Sequence, residues 1–69
     1  MPAFGASSVD FPVDRVIFAC RAALAVQPHS SDIKLLFDLA RAAKGVGLKV
    51  VTVTAHDFVA IAQYFPVSD

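Results

Sequence analysis

Between Ile33 and Ala43, residues Ile33, Leu35, Leu36, Phe37, Leu39, Ala40 and Ala43 are apolar, and only Lys34, Asp38 and Arg41 form a polar strip. Wound at about 100° per residue, the apolar set covers an arc of roughly 200°. An arc that wide calls for neighbours on two sides and places the helix at the centre of the fold. Ser30 or Ser31 can cap its first turn, where Asp32 complements the positive end of the helix dipole. Lys44 suits the negative end, and Gly45 or Gly47 can take the left-handed conformation that stops the helix. The next stretch, Leu48 to Thr54, is rich in β-branched residues and reads as a strand.

Upstream, Asp10-Phe11-Pro12 has the form of a helix entrance, with Asp10 as cap and Pro12 in the first turn. From Val13 to about Val26, residues Val13, Val16, Ile17, Cys20, Ala23 and Leu24 share one face. Phe18 falls on the other side, among Asp14, Arg15 and Arg21. Arg15 to Arg21 also reads as a short buried strand, because periodicity alone does not separate the two. The alanines at 19, 22, 23 and 25 favour helix. Pro28 ends this element within the Gln27-Pro28-His29 connection. Downstream, Thr54 and Asp57 have the spacing of a helix cap. Phe58, Ile61, Ala62 and Phe65 make the inner face of a third helix, with His56, Ala60 and Gln63 outward, Tyr64 at the boundary and Pro66 as the stop.

The expected architecture is thus a small α+β domain in the order helix, helix, strand, helix. Residues 1–9 form an arm or loop in which Phe4 is the one anchor, and residues 10–66 form the folded body. A lone strand leaves its own backbone donors and acceptors unsatisfied. Its partner is to be sought across a homodimer two-fold, in the arm near Val9, or in a first strand at Arg15–Arg21. Val50, Val51 and Val53 are the candidate core and dimer residues.

Composition strengthens the expectation of assembly. The chain has 69 residues, 57% of them hydrophobic and 17% charged, against roughly a quarter charged in an ordinary domain. One 69-residue copy has too little interior for that much apolar side chain. A homodimer is the simplest answer. Six basic residues balance six acidic ones, giving no net charge, which argues against a general grip on nucleic acid or anionic membrane. The longest apolar run, Val16 to Val26, is interrupted by Arg21 and too short to span a bilayer. The single cysteine, with no positively charged leader at the start, fits a cytoplasmic protein.

The residues carry little catalytic chemistry. Cys20 lies on the inner face of the first helix with no histidine near it in sequence, and reads as a small buried hydrophobe. Helix capping accounts for Ser30 and Ser31. His29 and His56 lack the spacing of a metal site, so no cofactor or metal is expected. Gly45-Val46-Gly47 closes a helix instead of opening one and cannot cradle a phosphate. A helix-turn-helix DNA reader would have to rely on Lys34, Arg41 and Lys44, with Asp38 in their midst.

From Ser30 to about Phe65, the order Ser-Ser, apolar helix, Gly, short strand and further helix resembles the later half of STAS domains, the fold of anti-sigma factor antagonists. In that family a Ser or Thr at the helix start, usually after Asp and before Gly, is a phosphorylated switch. The resemblance implies that role for Ser30 or Ser31, although His29 and Asp32 occupy the positions where Asp and Gly are usual. The residues themselves point first to a non-enzymatic regulator that binds a larger protein. Its most concrete form is an inhibitor or anti-activator, of bacterial or phage origin given the alanine- and valine-rich composition. Phe18, with Arg15 and Arg21 beside it, is the candidate partner-binding site, and Tyr64 the second.

Overall fold

The computed structural model describes residues 8–66, which fold as a small α+β domain of two strands and three helices. Strand β1 (Ser8–Pro12) leads directly into helix α1 (Val13–Val26). Helix α2 (Ser31–Gly45) returns beside it, and strand β2 (Val50–Thr54) is followed by helix α3 (Ala55–Ile61) and a 3-10 turn, Ala62–Tyr64. No helix among the described residues is long and apolar enough to cross a membrane.

Strand β2 finds its partner within the chain. β1 pairs with it antiparallel, Val9 opposite Val53, Phe11 opposite Val51, and Asp10 opposite Thr52. The pairing lies at the start of the expected folded body, at the arm near Val9, and the dimer two-fold is not needed to complete the ladder. It also corrects the reading of Asp10-Phe11-Pro12 as a helix entrance. Asp10 is a strand residue whose carboxylate accepts a 2.6 Å hydrogen bond from the Thr52 hydroxyl, and Pro12 itself occupies the N-cap of α1 without a side-chain cap. The Val13 N–H, free of intrahelical partners at this position, donates to the Lys49 carbonyl at 2.9 Å. That bond ties the start of α1 to the connection before β2. Arg15–Arg21 is helical throughout. Phe4 lies outside the described residues.

Directly opposed residues share a face of the sheet. Val51 and Val53 are buried and Phe11 half-buried on the inner face; Ser8, Asp10, Thr52 and Thr54 are exposed on the outer one. Beneath the inner face lie Val13, Val16, Ala19, Cys20 and Ala23 of α1, Ile33, Leu36, Ala40 and Ala43 of α2, and Ile61 of α3. Phe11 stacks on Phe58 at 5.2 Å, and Phe65 packs edge-on against both rings, at 5.1 and 5.4 Å. This triad joins the first strand to the last helix. Ala60, expected outward, instead packs half-buried against the core.

The largest departure concerns α2. It packs against α1, α3 and β2, yet these neighbours cover only part of its wide apolar arc. Ile33, Leu36, Ala40 and Ala43 are buried, whereas Leu35 and Leu39 are 69% and 55% exposed. A helical pattern records which residues are apolar and not how much of the arc the fold will cover, so α2 keeps one side of its arc in solvent.

Helix ends follow the local chemistry. The Ser30 hydroxyl oxygen accepts from the Ile33 N–H at 3.4 Å and the Thr54 hydroxyl oxygen from the Asp57 N–H at 3.2 Å. At the far end of α2, Gly47 has φ +89°, its N–H donates to the Lys44 carbonyl, and the Leu48 N–H donates to the Ala43 carbonyl. These two bonds form a Schellman closure, which turns the chain back toward β2. A Cβ at either Gly45 or Gly47 would meet open space, so only the backbone distinguishes the two sites. Gly47→Ala is expected to destabilise the fold by about 1–2 kcal/mol through left-handed strain. Gly45→Ala, at a helical position, is expected to be neutral or to stabilise by up to about 1 kcal/mol. Denaturant melts of the two variants at equal concentration measure the difference.

Candidate functional site

The outer side of α1 carries the residues that sequence patterning singled out. At about 100° per residue, Arg15 and Arg21 stand about 60° to either side of Phe18. All three are exposed, and Phe18 retains 56% of its surface. Val26, 65% exposed, extends the apolar surface toward the end of the helix. The inner stripe of α1 satisfies the core without Phe18, because Val16, Ala19, Cys20 and Ala23 are fully buried on the other side. Phe18 is therefore an aromatic side chain that the monomer does not use. Asp14, on the same exposed side, accepts from Lys44 of α2 at 2.6 Å. Both side chains are mostly exposed, so this pair contributes little to stability.

Tyr64 is elsewhere. It lies in the 3-10 turn, half-buried and packed against the core. Val51 and Val53 belong to the core, while Val50 remains 48% exposed. Ser30 is spent as a helix cap, and Ser31 is the exposed first residue of α2. His29 is exposed in the connection between helices. His56 reaches Asp32, with Nε2 3.6 Å from a carboxylate oxygen, but both side chains are solvated. Among the described residues no group of three His, Cys, Asp or Glu side chains is placed to hold a metal ion.

An open depression of about 260 Å³ lies beside the start of α1, lined by Val13, Asp14, Lys44, Gly47, Leu48 and Lys49. Its acid is already paired with Lys44, and none of the polar side chains among its lining residues is buried. Sequence patterning did not foresee two features: the Arg41 guanidinium 5.6 Å from the centre of the Phe37 ring, and the exposed leucines of α2. The four-residue spacing of Phe37 and Arg41 on α2 was the available signal for the first.

Among the described residues, Cys20 is the titratable side chain that is fully buried in the core. Burial, and secondarily the nearby Asp57 carboxylate, push its thiol from 9.0 up to about 11. A thiol held so firmly in the protonated form is a poor nucleophile and metal ligand, so the site does not provide thiolate chemistry.

The chain matches no protein-family model, no curated protein and no solved structure.

The Cys20 shift predicts a pH dependence. The folded state holds the thiol proton more tightly than the unfolded chain. Its stabilising contribution is therefore complete below about pH 9 and is lost as pH rises toward 11, by about 2–3 kcal/mol in all. Melts of the wild-type protein and Cys20→Ala across this range are expected to differ in slope, the variant losing less stability. Equal slopes would show that Cys20 does not titrate with folding.

Proposed function

We propose that this protein is a small non-enzymatic regulator that works as a homodimer and blocks a larger protein by docking the outer side of α1 on it. The observation that carries this reading is Phe18, a large aromatic left more than half exposed on a well-formed helix, with an arginine on each side. Aromatic and arginine side chains are the residue types that dominate interface energetics, especially when an apolar anchor is ringed by polar groups. Phe18 supplies the anchor and Arg15 and Arg21 the rim. A rigid helix also presents them at little ordering cost, since the buried stripe behind them fixes the backbone.

The balance of charge supports a protein partner over nucleic acid. The chain carries no net charge. Of the basic residues that a DNA reader would need on α2, Lys44 is paired with Asp14 and Arg41 lies over Phe37. An inhibitor or anti-activator of a cytoplasmic transcription regulator is the most specific form of the reading.

Phe18→Ala is the direct test. An exposed position of this kind is expected to change folding stability by no more than about 0.5 kcal/mol. Capture of the partner from source-cell lysate should fall by about thirtyfold or more, as for loss of a central interface aromatic. Quantitative affinity capture alongside a thermal melt reads both. A folded variant that captures the same partner equally well would remove Phe18 from the interface, and an unfolded one would place it in the core.

A further inference from the structure

A β-strand carries hydrogen-bonding groups along both edges, and β1 occupies only one edge of β2. The register shows which groups remain. Pro12 stands opposite Val50, and one step on, the Val13 N–H bonds the Lys49 carbonyl at 2.9 Å. Opposed residues of an antiparallel pair alternate between bonded and non-bonded. The bonded pairs are therefore Phe11 with Val51 and Val9 with Val53. The main-chain groups of Val50, Thr52 and Thr54 point to the far edge. The 2.6 Å contact of the Thr52 hydroxyl with Asp10 agrees, since side chains approach most closely across non-bonded pairs. Among the described residues, the N–H and C=O of Val50 and Thr52 have no hydrogen-bond partner. Both residues are exposed.

The two edges of this sheet differ. On β1 the outward positions are Ser8, Asp10 and Pro12. Pro12 has no N–H to offer and Asp10 adds a charge, both devices that blunt an edge. β2 reads Val50-Val51-Thr52-Val53-Thr54, without proline, glycine or charge.

We infer that this edge of β2 pairs with the same edge of a second copy, antiparallel about a two-fold axis at Thr52, giving the strand order β1-β2-β2-β1. Thr52 then exchanges both main-chain bonds with its counterpart, and Val50 exchanges its pair with Thr54. The side chains suit that register. On the inner face Val51 meets Val53, which continues the buried face of one sheet into the other. On the outer face β-branched Val and Thr oppose one another, and the ladder brings no charges together. Closure selects an identical chain over an unrelated peptide. Pairing through β2 consumes the unguarded edge of both copies and leaves only the β1 edges, guarded by Pro12 and Asp10, so assembly ends at two. The strand is already extended in each copy, so pairing orders little new backbone. The pairing rests on the homodimer part of the proposed function and uses no residue on the outer side of α1.

Amide hydrogen exchange of the full chain, read beside sedimentation equilibrium from about 50 µM to about 1 mM, tests the edge directly. Wherever the mass is that of two chains, the Val50 and Thr52 amides should exchange at least about tenfold more slowly, after correction for intrinsic rates, than the Ser8 and Asp10 amides on the open β1 edge. Cross-linking tests the axis. Thr52→Cys sets two Cα atoms about 5.5 Å apart, within disulfide reach. With oxidised glutathione it should join two chains at least about tenfold faster than Val50→Cys, whose equivalents stand about four residues apart along the ladder. A two-chain mass with a rapidly exchanging Thr52 amide would overturn this edge and leave the homodimer reading standing. A single chain up to about 1 mM would overturn both. A protected Thr52 amide in that single chain would show the edge covered from within. Equal cross-linking rates at the two positions would overturn the axis at Thr52. Partner capture by Phe18→Ala changes none of these readouts.

Discussion

The contact between α1 and α2 sets the terms for everything else in this domain. The residues buried on these helices are mostly small: Ala19, Cys20 and Ala23 on one, Ala40 and Ala43 on the other. Small side chains let helices approach closely, and close helices cover each other with little volume between them. The interior is therefore thin. A thin interior has room for Ile33, Leu36, Ile61 and the inner valines of the sheet, but not for every apolar residue of a chain that is 57% hydrophobic. Bulky residues such as Phe18, Leu35 and Leu39 remain outside as a consequence of that geometry. Their exposure is a property of the packing, and it is what makes an interaction role physically reasonable.

The sheet depends on the helices and also ties the two ends of the described residues together. Two strands alone are marginal in water. β1 and β2 persist because Val51, Val53 and Phe11 lie against the helical layer. Their register also sets Phe11 where Phe58 and Phe65 can pack on it. The beginning and end of the described chain are thereby joined through one aromatic cluster, with ring separations suited to stacked and edge-to-face contacts. The Val13–Lys49 bond joins the same two parts at backbone level. Local signals and long-range packing agree at these points, as they must for a domain with so little core to spare.

Helices were the most legible feature of the chain. The stripe Val13-Val16-Cys20-Ala23, the caps at Ser30 and Thr54, and the glycine stop of α2 could all be read because each depends on residues close in sequence. The first strand was harder. Ser8-Val9-Asp10-Phe11 alternates polar and apolar as a half-buried strand should, but Asp-Phe-Pro carries the local chemistry of a helix entrance as well. Pairing with β2 decides between them, and pairing is a long-range event. The candidate site divides in the same way. The outward position of Phe18 followed from its angle relative to the core stripe, a local property. Tyr64 sits at a boundary whose coverage depends on how the 3-10 turn packs, and no local pattern specifies that. Leu35 and Leu39 illustrate the same limit: a wide apolar arc is visible in the sequence, whereas the number of neighbours that cover it is not.

Two separate considerations in the sequence favoured assembly, and the structure treats them differently. The unpaired strand was the first, and β1 satisfies it within one chain. Surplus apolar side chain was the second, and it remains, now with a location. The surplus is not spread evenly: it lies at Leu35, Leu39 and the C-cap Val46 of α2, and at Phe18 and Val26 of α1. On α1, Phe18 stands midway between Arg15 and Arg21, with Val26 toward the end of the helix. The two exposed faces therefore differ in kind: the α1 face sets one aromatic side chain among charges, and the α2 face sets aliphatic side chains near one another.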